Sequence, residues 1–475
     1  IADVSVTGAS FERDGAQVEA RHARRAPITL RYRVALDERD PDVRDGPAFR
    51  PAVRPDWFTV VGWTVFAEVE GRRADPVRFE QGETPRGFRV VSDLEHRAGD
   101  ASMSLVDLMD SVTAGGRRLY VLERPNGAAR LRVAFQGDWR LDEAATADLL
   151  AKVANASGAF WGDPGEDFLA VATPLTAPEG RLPQMGVGLG DAFAIWTPSD
   201  TDADLAHILA HEYQHLWVPT RLGGVANGPD EPGEFWFSEG FTDFYTLRML
   251  VKAGVWGPET FVADLNRILA AYAASPARQT PAREVASRFY SERAVQELPY
   301  QQGLLLAAAW DHSLRARTGG RADLDDAIRA VREGYRKPGP FGRPAAIPAF
   351  RRAYARLGGE GLDREIDRHV ERGEPVVLPA DLFGECARVV TTQRPEFDRG
   401  FDADATSRAG GRVAGVDPTG PAYAAGLRDG VRILGLEAGV LGDSRAELAY
   451  RVEIGGTSRL IRYRPEGRRT QTVQE

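Results

Sequence analysis

The sequence predicts a multidomain α+β protein. Residues 1–138 read as a succession of short strands, residues 139–380 as an α/β segment that becomes helical, and residues 386–475 as strands again. In the first part, Ile28–Ala35, Phe58–Val69 and Arg130–Phe135 alternate apolar and polar residues or are rich in β-branched and aromatic ones, with Gly, Pro and Asp clusters between them. Short strands of this kind predict an N-terminal β-sandwich.

After Asp138 the hydrophobic period changes. Leu141–Ala156 has helical spacing, and Asp142 and Glu143 suit the positive end of its dipole. An apolar strand, Phe168–Thr173, precedes a helix over Asp204–Pro219. A second helix is expected from about Ser238, in position to cap it, to Ala253. The helical part then spans 251–380, with helices over Glu259–Ala274, Gln301–Arg317 and Asp323–Tyr335 and a Pro- and Gly-rich break at Lys337–Pro348. Arg412–Val416, Val431–Leu436, Glu447–Ile454 and Ser458–Tyr463 read as strands of a final small domain.

Composition narrows the function. With 475 residues, 43% of them hydrophobic and 27% charged, the chain can bury sizeable cores. A net charge of -9 argues against a nucleic-acid partner, because phosphate binding needs a basic face. The single cysteine, Cys386, rules out an intrachain disulfide and a cysteine-based structural zinc site. No apolar run approaches the ~20 residues of a membrane span, and no signal peptide is visible. The chain starts at Ile1 without Met, so a trimmed N-terminus and a periplasmic or secreted protein are expected.

The chemistry is concentrated in HEYQH, His211–His215. On a helix, residues i and i+4 share a face, so both imidazoles can reach one ion, with Glu212 beside them as a base for water. Leu205, Ile208, Leu209 and Trp217 supply the apolar face that a buried helix needs. A catalytic zinc ion needs a third protein ligand and an open position. A metzincin would have Gly at 218 and His at 221, where this chain has Val218 and Arg221. The alternative is Glu239, in FWFSEGFTDFY, with Asp243 one turn later to fix the tautomer of a ligand histidine. His207, at i−4 from His211, is expected to point away as a packed or hydrogen-bonded residue.

HEYQHLW and FWFSEGFTDFY resemble the glycyl aminopeptidase family of gluzincin zinc metallopeptidases, which typically shows HEFFHxWN and then LWxxEGxTxYY. The resemblance implies a β-rich N-terminal domain, a thermolysin-like catalytic domain over 139–380 and a C-terminal PDZ domain. It implies one zinc ion per chain and a peptide or protein substrate. The family's Tyr-x-Lys-Gly motif, whose tyrosine stabilises the tetrahedral intermediate, matches Tyr300-Gln301-Gln302-Gly303 with Gln for Lys, and so points to Tyr300. The family's Gly-Gly-Leu-Glu-His strand, whose Glu is expected to help hold the substrate amine, matches Gly188-Leu189-Gly190-Asp191. Gly190 replaces the Glu, so Gly188 and Asp191 are the substrate-binding residues expected here, with Asp191 carrying the charge. GGRVAGVDPTGPAYAAGLRDG resembles the PDZ pattern Val-x-x-x-Ser-Pro-Ala-x-x-Ala-Gly-Leu-x-x-Gly-Asp, with Gly430-Val431 where Gly-Asp is expected.

The implied function is a zinc-dependent aminopeptidase. Two alternatives stay open: an endo- or oligopeptidase with the same chemistry, suggested by Gly190, and a non-catalytic peptide binder acting through the PDZ-like domain, against which the intact base Glu212 speaks.

Overall fold

A computed structural model describes residues 2–34, 51–97, 103–174, 184–199, 205–225, 228–336 and 345–475. Ala35, Asp204 and residues 337–344 of the expected Pro- and Gly-rich break lie outside these.

The chain opens with two small antiparallel pairs: β1 (Ala2–Thr7) with β4 (Thr29–Arg33), and the hairpin of β2 (Ser10–Asp14) with β3 (Gln17–Arg21). A four-stranded antiparallel sheet follows in the order β5-β6-β8-β7, from β5 (Ala52–Val53), β6 (Trp57–Val61), β7 (Arg89–Ser92) and β8 (Val112–Gly116). Two short helices, α1 (Gly62–Val65) and α2 (Leu105–Met109), lie between its strands. The strand expected over Phe58–Val69 stops at Val61, where the chain turns against α2. Gly62 permits that turn, since a Cβ there would come within 2.1 Å of the Leu108 carbonyl oxygen.

The central sheet runs β12-β13-β11-β10-β9, from β9 (Leu119–Asn126), β10 (Ala129–Gln136), β11 (Phe168–Pro174), β12 (Met185–Gly188) and β13 (Ala192–Thr197). Its three inner strands are parallel, while the edges β9 and β12 run antiparallel. Helix α3 (Glu143–Trp161) makes the crossover, capped by Asp142 at its start and by Gly162 in the left-handed conformation at its end. The inner strands are buried on both faces and so read as continuous apolar runs, FLAVAT and AFAIW.

This sheet corrects the expected boundary at 138. Arg130–Phe135 belongs to β10, which pairs in parallel with β11, so β9 and β10 are part of the central unit. The N-terminal strands do form sheets, and the four-stranded one stacks on the outer face of the central sheet. Val61, Val91, Val112 and Ala114 share a core there with Ala134, Val171, Ala194 and Trp196, and the hydroxyls of Thr59 and Thr173 meet at 2.8 Å.

The inner face carries the helices α4 (Ala206–Gln214), α5 (Phe235–Lys252), α6 (Pro258–Ala274), α7 (Ala282–Arg288), α8 (Arg293–Thr318), α9 (Leu324–Arg336), α10 (Ala346–Arg356) and α11 (Leu362–Glu365). Ser238 is not the cap of α5, which starts three residues earlier and buries Ser238 in its first turn. Helix α8 likewise starts before Gln301, at Arg293, and contains Pro299. No helix among the described residues is long and apolar enough to cross a membrane.

A small β module ends the chain. β14 (Thr391–Phe397) pairs with β18 (Glu466–Gln474), and β15 (Arg432–Ala438), β16 (Leu448–Ile454) and β17 (Thr457–Tyr463) form a meander. Two short helices, α12 (Ala403–Arg408) and α13 (Pro421–Ala424), complete it around Val413, Leu427, Ile433, Leu448 and Val452. The strand expected at Arg412–Val416 is reduced to one bridge, Arg412 to Arg432.

One crossing positions the rest of the helical layer. Helices α5 and α8 touch backbone to backbone at Gly240 and Gly303. A Cβ on Gly303 would lie 1.9 Å from the Trp236 carbonyl oxygen, and one on Gly240 would lie 2.3 Å from Gly303 Cα. Gly303→Ala should therefore cost about 1–3 kcal/mol of overpacking despite the better helix propensity of Ala. Gly334→Ala, on α9 where nothing lies within 4 Å of the added carbon, should be neutral or stabilising by up to about 1 kcal/mol. Urea denaturation midpoints of the two variants check this, and equal midpoints would refute the close crossing.

Candidate metal centre

The site forms where α4 meets α5. His211 and Glu212 lie on the last turn of α4, and His215 closes that turn, its N–H bonded to the His211 carbonyl at 3.3 Å. Leu209, Tyr213, Leu216 and Trp217 bury the helix in the main core. Beyond His215 the chain is pinned by Trp217, which stacks on Trp161 and has the guanidinium groups of Arg221 and Arg332 within 4.8 Å of its ring centre. From α5, Glu239 and Asp243 face α4 one turn apart. His211, Glu212, His215 and Asp243 are each less than a tenth exposed.

Glu239 Oε2 lies 3.2 Å from His211 Nε2 and 3.4 Å from His215 Nε2. The opposite ring nitrogens are occupied: His211 Nδ1 is 2.7 Å from Asp243 Oδ1, and His215 Nδ1 is 3.0 Å from the Val218 carbonyl oxygen. Both of those partners only accept, so each Nδ1 carries the proton and donates it. Each Nε2 faces the Glu239 carboxylate, and with a metal bound it would offer its lone pair there. One ligand atom from each of the three residues lies within 4.8 Å of the others. Three such atoms held this close in a buried pocket need protons or a metal cation to join them. Two neutral imidazoles and one carboxylate are a catalytic zinc donor set, so the residues present fit that ion.

Glu212 adds a second sign of an absent partner. Its Oε2 is buried with no hydrogen-bond partner, which is rare for a carboxylate unless an ion, water or substrate belongs there. The edge strand β12 lies directly over it. A Cβ on Gly186 would fall 2.0 Å from Glu212 Oε1, and one on Gly188 would fall 2.5 Å from His215 Cβ and 2.6 Å from the Glu212 carbonyl oxygen. At Gly188, where the clash is with backbone and a Cβ, only glycine allows the strand this close.

Tyr300, on α8, completes the cluster. Its ring lies 5.8 Å from that of His211, and its phenol is within hydrogen-bonding reach of Glu239. Burial, then Glu239, Glu212 and Asp243, push this phenol far above its usual range, so it stays a donor. Burial would raise Glu239 and Asp243, but the neighbouring histidines, themselves drawn toward their charged form by these carboxylates, outweigh it and hold both well below the usual carboxylate range. Glu212 is pushed upward, by burial above all, against the pull of His215 and His211.

The structure thus brings His211, Glu212, His215, Glu239, Asp243 and Tyr300 together, with Gly188 against His215. Asp191 lies at the turn between β12 and β13, where its carbonyl accepts from the Leu169 N–H. At Gly190, beside it, an added Cβ would meet open space. Where the motif would have Lys, Gln302 donates to the His369 carbonyl at 2.9 Å instead. Reading the sequence missed three parts of the site: the Val218 carbonyl, Gly186, and Thr242, whose hydroxyl is 3.0 Å from that same carbonyl oxygen. The Thr of SEGFT was the one available signal.

Residues 204–306, which hold all of these helical residues, match the M61 glycyl aminopeptidase family. No curated protein matches the chain. Among solved structures, the chain is similar to an aminopeptidase N family protein from Idiomarina loihiensis, with TM-score 0.67 and 14% identity over 100% of this chain and 89% of that one. It is also similar to an M1 zinc metallopeptidase from Deinococcus radiodurans, with TM-score 0.50 and 16% identity over 79% of this chain and 86% of that one. At these identities the likeness is one of fold.

The two glycines of β12 should respond differently to substitution. Gly186→Ala displaces only the flexible tip of Glu212, so its urea midpoint and zinc affinity should stay close to the parent's. Gly188→Ala presses on backbone and on His215 Cβ, and should cost about 1–3 kcal/mol and weaken zinc binding in a chelator competition. The reverse order would show that β12 does not pack as described.

Proposed function

We infer, from the premise that this chain is a zinc-dependent peptidase whose residues 204–306 are those of the M61 glycyl aminopeptidase family, that it removes residues from the amino ends of peptides at the site between α4 and α5. The observation that carries the assignment of residues is the convergence of His211 Nε2, His215 Nε2 and Glu239 while both Nδ1 atoms are held by other acceptors.

One zinc ion would be held by His211, His215 and Glu239, with Asp243 fixing the His211 tautomer. Zinc bound there supplies Lewis-acid chemistry, polarising the scissile carbonyl and acidifying water. Glu212 takes the proton of the attacking water and delivers it to the leaving amine. Its buried, unpartnered Oε2 is the atom available for that transfer. Tyr300 donates a hydrogen bond to the oxyanion as it develops. β12 is an edge strand among the described residues, and Gly186 and Gly188 let it lie against Glu212 and His215, so a peptide backbone that paired with it would lie beside the site.

Gly190 favours a second reading, an endo- or oligopeptidase, because the acidic side chain expected to hold a free amine is replaced there. On the C-terminal module, the meander, the β14–β18 pair and the two short helices support a PDZ-like peptide-binding role.

Three measurements test these readings. Glu212→Gln should keep zinc while kcat falls at least about 100-fold; parental turnover would refute the base. Chelation should abolish hydrolysis and added zinc should restore it; activity that survives metal removal would refute the metal chemistry. Free-amine peptides should be cleaved at least about tenfold faster than their N-acetylated counterparts, while equal rates would favour the endo- or oligopeptidase.

A further inference from the structure

His207 lies one turn before His211 on α4, and the chemistry above does not use it. Its Nε2 is 3.0 Å from Asp243 Oδ1, the same oxygen that His211 Nδ1 reaches at 2.7 Å. The two rings are nearly parallel, 6.4 Å apart. On its far side, His207 Nδ1 faces Asp264 Oδ2 of α6 at 3.5 Å, and both atoms are buried without a hydrogen-bond partner. Asp264 Oδ1 is held by Arg267 at 2.7 Å. With a proton on Nδ1 as well as on Nε2, a buried donor and a buried acceptor face each other half an ångström beyond a good hydrogen bond, and a small shift closes it.

We propose that Asp264 and His207 are positioning residues for the metal, forming with Asp243 and His211 a line of alternating carboxylates and imidazoles from α6 to the ion. The proposal rests on the reading of His211, His215 and Glu239 as zinc ligands. Asp243 offers one oxygen to two rings, so its rotamer is set by both. Without the His207 N–H, that oxygen keeps a single partner and the carboxylate can turn. His211 then loses the acceptor that keeps its proton on Nδ1 and its lone pair on the metal side. Partners of the ligands, here Asp243, typically contribute 10- to 100-fold to metal affinity, and that range is the upper bound on what His207 can contribute through it.

A rival reading puts a second cation between His207, His211 and Asp243, whose ligand atoms also lie within 4.8 Å of one another. The distances of 2.7 and 3.0 Å from one oxygen to two nitrogens are hydrogen-bond lengths with a proton between. A cation at that point would also take from His211 the Nδ1 proton that its role at the first ion requires. The geometry therefore favours one ion.

The test is zinc stoichiometry and affinity, by metal analysis and chelator competition, on the full chain. The parent and His207→Leu should each bind one zinc, with affinity weaker in the variant by about 10-fold and at most about 100-fold. His207→Gln, whose amide can still donate to Asp243, should stay within about threefold. Asp264→Asn should weaken binding too, and it carries the test should His207→Leu fail to fold. In an Asp243→Asn background, His207→Leu should cause no further loss, an outcome that general destabilisation would not produce. Parental affinity in both His207→Leu and Asp264→Asn would overturn the proposal, as would two zinc ions in the parent falling to one in His207→Leu. A His215→Ala chain that bound zinc like the parent would instead sink the ligand assignment itself.

Discussion

Two buried imidazoles must each keep their proton on the nitrogen that faces away from Glu239. A proton on either Nε2 would be a hydrogen bond to Glu239 and no lone pair for a metal. Each Nδ1 therefore needs an acceptor of its own, and leaving one unmet would cost about 1–3 kcal/mol. Asp243 serves His211, and the Val218 carbonyl serves His215. Much of the local architecture follows from these two requirements. α4 ends at Gln214, which frees the chain to bring the Val218 carbonyl back to the ring, and Trp217, stacked on Trp161 and close to two guanidinium groups, holds it there. α5 must approach α4 closely enough for Asp243 and Thr242 to serve both rings.

Close approach is the second theme, and glycine supplies it in two places. Gly186 and Gly188 let an edge strand lie over the histidine helix. Gly240 and Gly303 let α5 and α8 meet at backbone distance. Glu239 directly precedes one of these crossing glycines, and Tyr300 lies one turn before the other. The separation of the acidic ligand from the phenol is therefore fixed by a contact with no side chain in it.

The parts of the site that were legible in the sequence are those with a periodic signature. The i, i+4 histidines and the Glu–Asp pair one turn apart declare a shared helix face whatever else the chain does. The Val218 carbonyl had no such mark, because any residue carries one. Gly186 carried no mark either, since a glycine does not say which neighbour it avoids. His207 was expected to be packed or hydrogen-bonded, but its partners come from two other helices and only the fold joins them. The boundary placed at 138 failed because β9 and β10 alternate like any half-exposed hairpin. Their membership of the central sheet depends on β11, more than thirty residues later.

The C-terminal module is joined to the helical layer that precedes it. Val390 and Glu475 exchange two backbone hydrogen bonds, and the Gln474 amide spans Leu378, accepting from its N–H and donating to its carbonyl. The loop at Gly442 rests on α6 beside Ala271. The helix it rests on is α6, the same one that carries Asp264, so the module and His207 share one wall.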